Sequence, residues 1–280
     1  MRLASLKDGS IVVISKQGVI PLSKIGFSGS MLELIKSGKA NWDTINIKIN
    51  NEKNGIVLDN ESIAAPIPDP SKIVAIGVNY IDHANETKLV LPKSPLVFAK
   101  FRNTITGPSD PIIIPTAITN QVDYEVELGV VIGKTAKNIS KGNALDYVFG
   151  YTILNDVSAR DVQFAESQWV KGKSLDTFCP MGPLIVTKDE IADPNNLELG
   201  CKINNEICQQ GNTKDMIFGV TDLISELSQI FTLEPGDIIA TGTPSGVQYG
   251  KENPNYLKDG DIVTSWIKGI GEMINPVIEV

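Results

Sequence analysis

Short apolar runs broken by Gly, Pro, Asn and Asp dominate the chain after about residue 70, and that punctuation predicts strands joined by turns. The runs are Ile73 to Ile76, Leu96 to Ala99, Ile112 to Ile114, Tyr124 to Ile132, Val148 to Leu154 and Leu184 to Val186. One helical pattern interrupts them: Leu223, Ile224, Leu227, Ile230 and Phe231 recur at helical spacing from Val220 onward. It stops at Glu234-Pro235-Gly236-Asp237, and Ile238-Ile239-Ala240 resumes a strand. Before residue 64 the pattern is mixed. Ile11 to Ile14 reads as an opening strand, and Ser30 as the cap of a short helix from Met31 to Ser37, with Gly38 where helices commonly end.

Ala64-Ala65-Pro66-Ile67-Pro68-Asp69-Pro70 is the clearest seam, because three prolines remove backbone donors and favour extended chain. It divides a small N-terminal α+β domain, 1–67, from a larger domain, 68–280. Many short strands with few helices argue for an α+β fold, predominantly β, built as a sandwich or roll rather than a doubly wound sheet. Composition narrows the function. The 280 residues are 42% hydrophobic and 21% charged, which is enough for a sizeable core. A formal net charge of -8 without a basic cluster argues against a nucleic-acid partner. No apolar run approaches the ~20 residues that span a bilayer, so no membrane association is expected. Charge enters the N-terminus before an apolar segment forms, which is not the pattern of a secretory signal. Cys179, Cys201 and Cys208 form no C-x-x-C pair and suit a reducing cytoplasm as buried or half-buried thiols.

Five segments carry candidate chemistry. In Asp123-Tyr124-Glu125-Val126-Glu127, strand alternation points Glu125 and Glu127 the same way. Two carboxylates on an apolar strand repel, and a hard divalent cation would reconcile them; an exposed polar edge reads equally well from this stretch alone. An apolar strand runs into Asn155-Asp156, where Asp156 offers a third carboxylate or a turn, and Ser158 looks like a helix cap. His83 and Glu86 share a helical face three residues apart and can hydrogen-bond, giving an oriented general base or a surface pair. Lys173, in Trp169-Val170-Lys171-Gly172-Lys173, is a cation for a substrate carboxylate or enolate, or a solvated lysine. Thr241-Gly242-Thr243-Pro244-Ser245-Gly246 is a turn whose backbone can approach a ligand.

In this order the five segments resemble the fumarylacetoacetate hydrolase family, from near Ser71 to Val280, including Gly260-Asp261-Ile262-Val263 and Asn275-Pro276-Val277. The resemblance implies a β roll or distorted sandwich. It also implies Mg²⁺ or Mn²⁺ held by Glu125, Glu127 and Asp156, a His83–Glu86 dyad on a mobile lid, and active-site roles for Lys173, Gln163 and Thr243. Arg102 lies in a segment that approaches the pocket but varies among members. The implied substrate is a small 2-oxo acid, and a homodimer is expected. The implied reaction is hydrolysis of a carbon–carbon bond in a 2,4-dioxo acid. Oxaloacetate decarboxylation, hydration or tautomerisation are alternatives on the same site. A non-catalytic metal-binding relative would have no need of the dyad.

Overall fold

The strand Val126–Ile132 is buried along its whole length, as a strand covered on both faces must be. The computed structural model describes residues 1–15, 18–52 and 62–280, and sets this strand near the middle of a mixed sheet of eleven described strands. Across the sheet run Gly18–Pro21, Ile11–Ser15, Arg2–Leu6, Cys179–Thr187, Val148–Asn155, Val126–Ile132, Ile238–Ala240, Ile73–Gly77 and Leu96–Lys100. Ile63–Ala64 and Ile105–Thr106 pair beside Arg2–Leu6 and Cys179–Thr187. A second sheet of five strands runs Glu206–Asn212, Glu198–Ile203, Ile262–Ile267, Gly271–Glu279 and Ile112–Ile114.

Strand alternation sorts the large sheet into two cores. Val126, Leu128, Val130 and Ile132 face one core, which they share with Leu199, Val263 and Met273 of the smaller sheet. The helix Val220–Ile230 adds Leu223, Ile224 and Leu227 to the same core, as its spacing predicts. Val131 and Ile185 face the opposite core, where the helices Met31–Lys36 and Lys39–Asn51 supply Leu34, Ile35, Ile45 and Ile49. The result is mostly sheet, a distorted sandwich with helices on its outer face. Glu127 lies at the start of Val126–Ile132 and Glu125 just before it, so both sit at the end of a strand that the two cores cover. No helix among the described residues is long and apolar enough to cross a membrane.

Every strand and helix expected from the apolar runs is present, and the differences are local. Ser30 does cap Met31–Lys36, in a box closed by Glu33. Gly38 follows its C-cap Ser37 with φ of 81° and its N–H on the Ile35 carbonyl, where a helix-ending glycine belongs. It also begins the helix Lys39–Asn51, whose mainly polar sequence buries Ile45 and Ile49. Ser158 does not cap a helix. It sits in the short strand Ser158–Ala159 and donates its hydroxyl hydrogen to the Asp156 carbonyl, and Ala159 precedes the helical turn Arg160–Gln163. The expected run from Tyr124 is broken, because Tyr124 and Glu125 separate Val122–Asp123 from Val126–Ile132.

Leu128 is fully buried between the sheets. Leu128→Ala is expected to lower the free energy of unfolding by about 2–5 kcal/mol in urea titrations, through lost transfer energy and the cavity left behind. A loss below about 1 kcal/mol would mean that this core closes freely around the gap.

Candidate metal centre and active site

The break before Val126 creates the site. The backbone N–H of Glu125 donates to Asn155 Oδ1 (2.9 Å) and that of Val126 to Gln209 Oε1 (3.0 Å), so side chains satisfy the ladder where strand pairing stops. The Asp156 N–H donates to the Glu125 carbonyl (2.8 Å), which draws the end of Val148–Asn155 against the same point. Glu125, Glu127 and Asp156 are thereby all buried, each with one carboxylate oxygen within 4.8 Å of the others.

Cations surround two of the three. Lys173 Nζ donates to Glu125 Oε2 (2.6 Å) and Asp156 Oδ2 (2.8 Å). Lys100 Nζ donates to Asp156 Oδ1 (2.6 Å). Arg160 lies with Nη2 2.6 Å from Glu125 Oε1 and 2.9 Å from Asp123 Oδ2, ion pairs in which the hydrogens are poorly aligned. Its Nε and Nη1 donate to Asp123 Oδ2 and Gln163 Oε1, both at 2.9 Å. Glu127 differs: among the described residues no cationic side chain lies within salt-bridge distance, and its Oε2 accepts only the Gly242 N–H (2.8 Å).

The electrostatics follow from these contacts. Burial opposes ionisation of Glu125, but Arg160 and Lys173 outweigh it and hold that carboxyl below the usual carboxylate range. Burial, together with Asp156 and Glu125, pushes the Glu127 carboxyl well above its ordinary value. Burial disfavours the Lys173 ammonium, yet Asp156 and Glu125 raise it above the usual lysine value. The residues fit a hard divalent cation. Three oxygen donors converge, each carboxylate keeps lone pairs beyond those its cations use, and the one carboxylate without a positive partner is the one that burial drives to protonate.

The cleft beside the triad encloses about 380 Å³, part of it open to solvent. His83, Gln163, Lys173 and Thr243 line it together with Glu125 and Glu127. Glu86 does not hydrogen-bond His83. Nδ1 of His83 lies 3.8 Å from Glu86 Oε2 and has no hydrogen-bond partner, although it is buried. The Glu86 carboxylate is held instead by the Gly246 N–H at 3.0–3.1 Å. Gly246 is required there, since its φ is +110° and a Cβ would lie 2.0 Å from the Cys208 carbonyl oxygen. Asp82 ties the same helix, Ile81–Thr87, to the turn through Ser245 Oγ (2.7 Å). The Thr243 hydroxyl donates to the Val126 carbonyl (2.9 Å) and accepts from Gln209 Nε2 (2.8 Å). Arg102 is exposed and pairs with Asp69, away from the triad.

Sequence reasoning missed Lys100, Arg160, Asp123 and Gln209. Asp123 and Arg160 flank motifs singled out above, and a strand-end acid next to E-x-E was the available signal. Asp123 also accepts the Gln248 and Tyr249 N–H groups, which commits its carboxylate to the protein.

Residues 72–278 match the family profile described as Fumarylacetoacetate (FAA) hydrolase C-terminal. The chain is 47% identical over 289 residues to the fumarylacetoacetate hydrolase domain-containing protein 2 homolog of Dictyostelium discoideum, covering 99% of this chain and 92% of that protein. It is 44% identical over 250 residues to a Xenopus laevis protein named oxaloacetate tautomerase fahd2, mitochondrial, across 89% of this chain and 78% of that one. The structure of maleylpyruvate hydrolase from Sphingobium sp. SYK-6 in complex with manganese (II) ion and pyruvate aligns with a TM-score of 0.81 at 31% identity, over 100% of this chain and 99% of that one.

Glu127→Gln tests the unmatched carboxylate. A carboxyl whose folded-state pKa is raised binds its proton more tightly when folded, so its contribution to stability is present at low pH and lost as pH rises through the raised value. The glutamine mimics the protonated form. In EDTA at pH 8 the variant is expected to melt at or above the wild-type temperature, and Mg²⁺ or Mn²⁺ is expected to raise the melting temperature of the wild type but not of the variant. A variant that melts lower in EDTA yet keeps the metal-dependent rise would show that Glu127 serves the fold and not the ion.

Proposed function

The chain belongs to the fumarylacetoacetate hydrolase family, and on that premise we propose that it is a divalent-metal-dependent enzyme interconverting the keto and enol forms of a small 2-oxo diacid, oxaloacetate first among them. The observation that carries this reading is the buried, unpartnered Nδ1 of His83 in the wall of the cleft that Glu125 and Glu127 also line. Tautomerisation needs a group that takes a proton from the carbon beside the carbonyl and a path that returns one to oxygen. It needs no nucleophilic water and breaks no carbon–carbon bond. An imidazole nitrogen free of protein partners, in a small cleft, suits that requirement.

Held by Glu125, Glu127 and Asp156, Mg²⁺ or Mn²⁺ would supply Lewis-acid polarisation of the 2-oxo group. The remaining work falls to side chains of this chain. Lys173 and Arg160 put two positive charges in the cleft wall, where a substrate carboxylate and the oxygen that gains charge can meet them. Gln163, fixed by Arg160 Nη1, presents its amide to the same space. His83 exchanges the proton at carbon. Glu86, tethered to Gly246, lies 3.8 Å from the imidazole Nδ1 on the same helix.

A second reading, hydrolysis of an acylpyruvate, draws support from the proximity of His83 and Glu86. A modest closure would turn their 3.8 Å contact into the hydrogen bond that a water-activating dyad requires. It also draws support from the resemblance to the maleylpyruvate hydrolase. Decarboxylation of oxaloacetate would use the same electron sink and release pyruvate.

Two assays run together separate the three reactions. Decay of the ultraviolet absorbance of freshly dissolved enol oxaloacetate reports tautomerisation, and coupling to lactate dehydrogenase reports pyruvate. Relative to metal alone, the loaded protein is expected to accelerate enol decay with no matching pyruvate, and EDTA to remove the effect. His83→Ala is expected to slow it by about 10²–10⁴-fold. Pyruvate formed from acylpyruvates, with enol decay unchanged, would replace this reading with hydrolysis.

A further inference from the structure

We propose that Lys100, which nothing in the motif pattern marks, is a positioning residue that fixes the geometry of the metal-binding carboxylates. The inference rests on the metal-binding reading of Glu125, Glu127 and Asp156.

Lys100 ends the strand Leu96–Lys100 at the edge of the large sheet, where a lysine ordinarily reaches solvent. Here the side chain turns inward, and its accessibility is 0%. Its three ammonium hydrogens have three acceptors: Asp156 Oδ1 at 2.6 Å, the Val157 carbonyl at 3.3 Å and the Lys173 carbonyl. One ammonium thus ties together a triad carboxylate, the backbone beside it, and the backbone that carries Lys173. Lys173 in turn donates to Asp156 Oδ2 and Glu125 Oε2. Asp156 is therefore gripped at both oxygens by two lysines, and the main chain of one is held by the other.

Lys100 does not line the cleft, so it cannot touch substrate there. Its effect on the chemistry runs through Asp156 and Lys173. A buried ammonium is costly to desolvate, and well-packed apolar groups would often serve stability as well. A lysine in that place is explained by the orientation it imposes on Asp156. Held at Oδ1, the carboxylate cannot rotate freely, and Oδ2 stays on the Lys173 ammonium that also holds Glu125.

Charge and geometry make opposite demands on the test. Removing a positive charge beside a ligand carboxylate should, by charge alone, tighten cation binding. Losing the grip on Asp156 should loosen it, and outer-sphere partners of metal ligands are worth roughly 10–100-fold in affinity. Titration calorimetry with Mn²⁺ on wild type, Lys100→Met and Lys100→Gln reads the sign directly. The expected result is Mn²⁺ binding at one site in wild type, at least roughly tenfold weaker binding in Lys100→Met, and partial recovery in Lys100→Gln, whose amide keeps one donor without the charge.

Unchanged or tighter binding in Lys100→Met would overturn the proposal, because the lysine would then be only a counter-charge. If circular dichroism shows that neither variant folds, Lys100 serves the fold and the proposal also fails. Wild-type protein that binds no Mn²⁺ would instead remove the metal-binding reading on which it rests.

Discussion

Four buried carboxylates, those of Asp123, Glu125, Glu127 and Asp156, share one end of the large sheet with three buried cations, Lys100, Arg160 and Lys173. Burying ions is costly, and such a set persists only where each charge has close partners and hydrogen bonds. Asp123 has Arg160, Glu125 has Arg160 and Lys173, and Asp156 has both lysines. Glu127 has the Gly242 N–H. The imbalance of one negative charge, placed where three carboxylates converge, is the constraint around which the site is organised. A divalent cation would more than offset it.

The seven charged groups come from positions 100, 123, 125, 127, 156, 160 and 173, so no local element can assemble them. The sheet order does that. Val126–Ile132 lies beside Val148–Asn155, and their paired ends place Asp156 against the Glu125 backbone. On the other side, Ile238–Ala240 pairs with Val126–Ile132 and leads into Gly242, whose φ of +96° and closeness to Asn79 leave no room for a side chain. That close approach lets the turn at 242–246 serve both halves of the cleft. It meets Glu127 through the Gly242 N–H and the His83-bearing helix through Ser245 and Gly246. The two cores hold these strand ends rigidly enough for a buried charge cluster to keep one arrangement.

Much of this was legible in the sequence, for physical reasons. Strand period places Glu125 and Glu127 on one face, and an apolar run ending in Asn155-Asp156 delivers an acid at a strand end. The fold class followed from many short apolar runs with one strong helical stripe. What stayed hidden depends on distant partners. Lys100 directly follows the apolar run Leu96 to Ala99 and reads like any lysine at a strand end, because the acid that buries it lies 56 positions away. Arg160 sits in a four-residue helical turn too short for a periodic signature. Lys39–Asn51 was missed because its sequence is polar and few of its positions are apolar and buried. The hairpin Glu198–Ile203 and Glu206–Asn212 turns on Asn204 and Asn205, both with positive φ, so an Asn-Asn pair between strands was the signal available for it.

The separation between His83 and Glu86 belongs to neither category. Helical spacing put the two on one face correctly, but the Gly246 N–H competes for the carboxylate and wins. The most direct measurement of the central claim is an anomalous difference map from crystals grown with Mn²⁺. The expected result is one strong peak within ligand distance of Glu125, Glu127 and Asp156, with Lys100 still on Asp156. A map with no peak there, and with Glu125 and Asp156 paired only to lysine and arginine and Glu127 only to the Gly242 N–H, would contradict it.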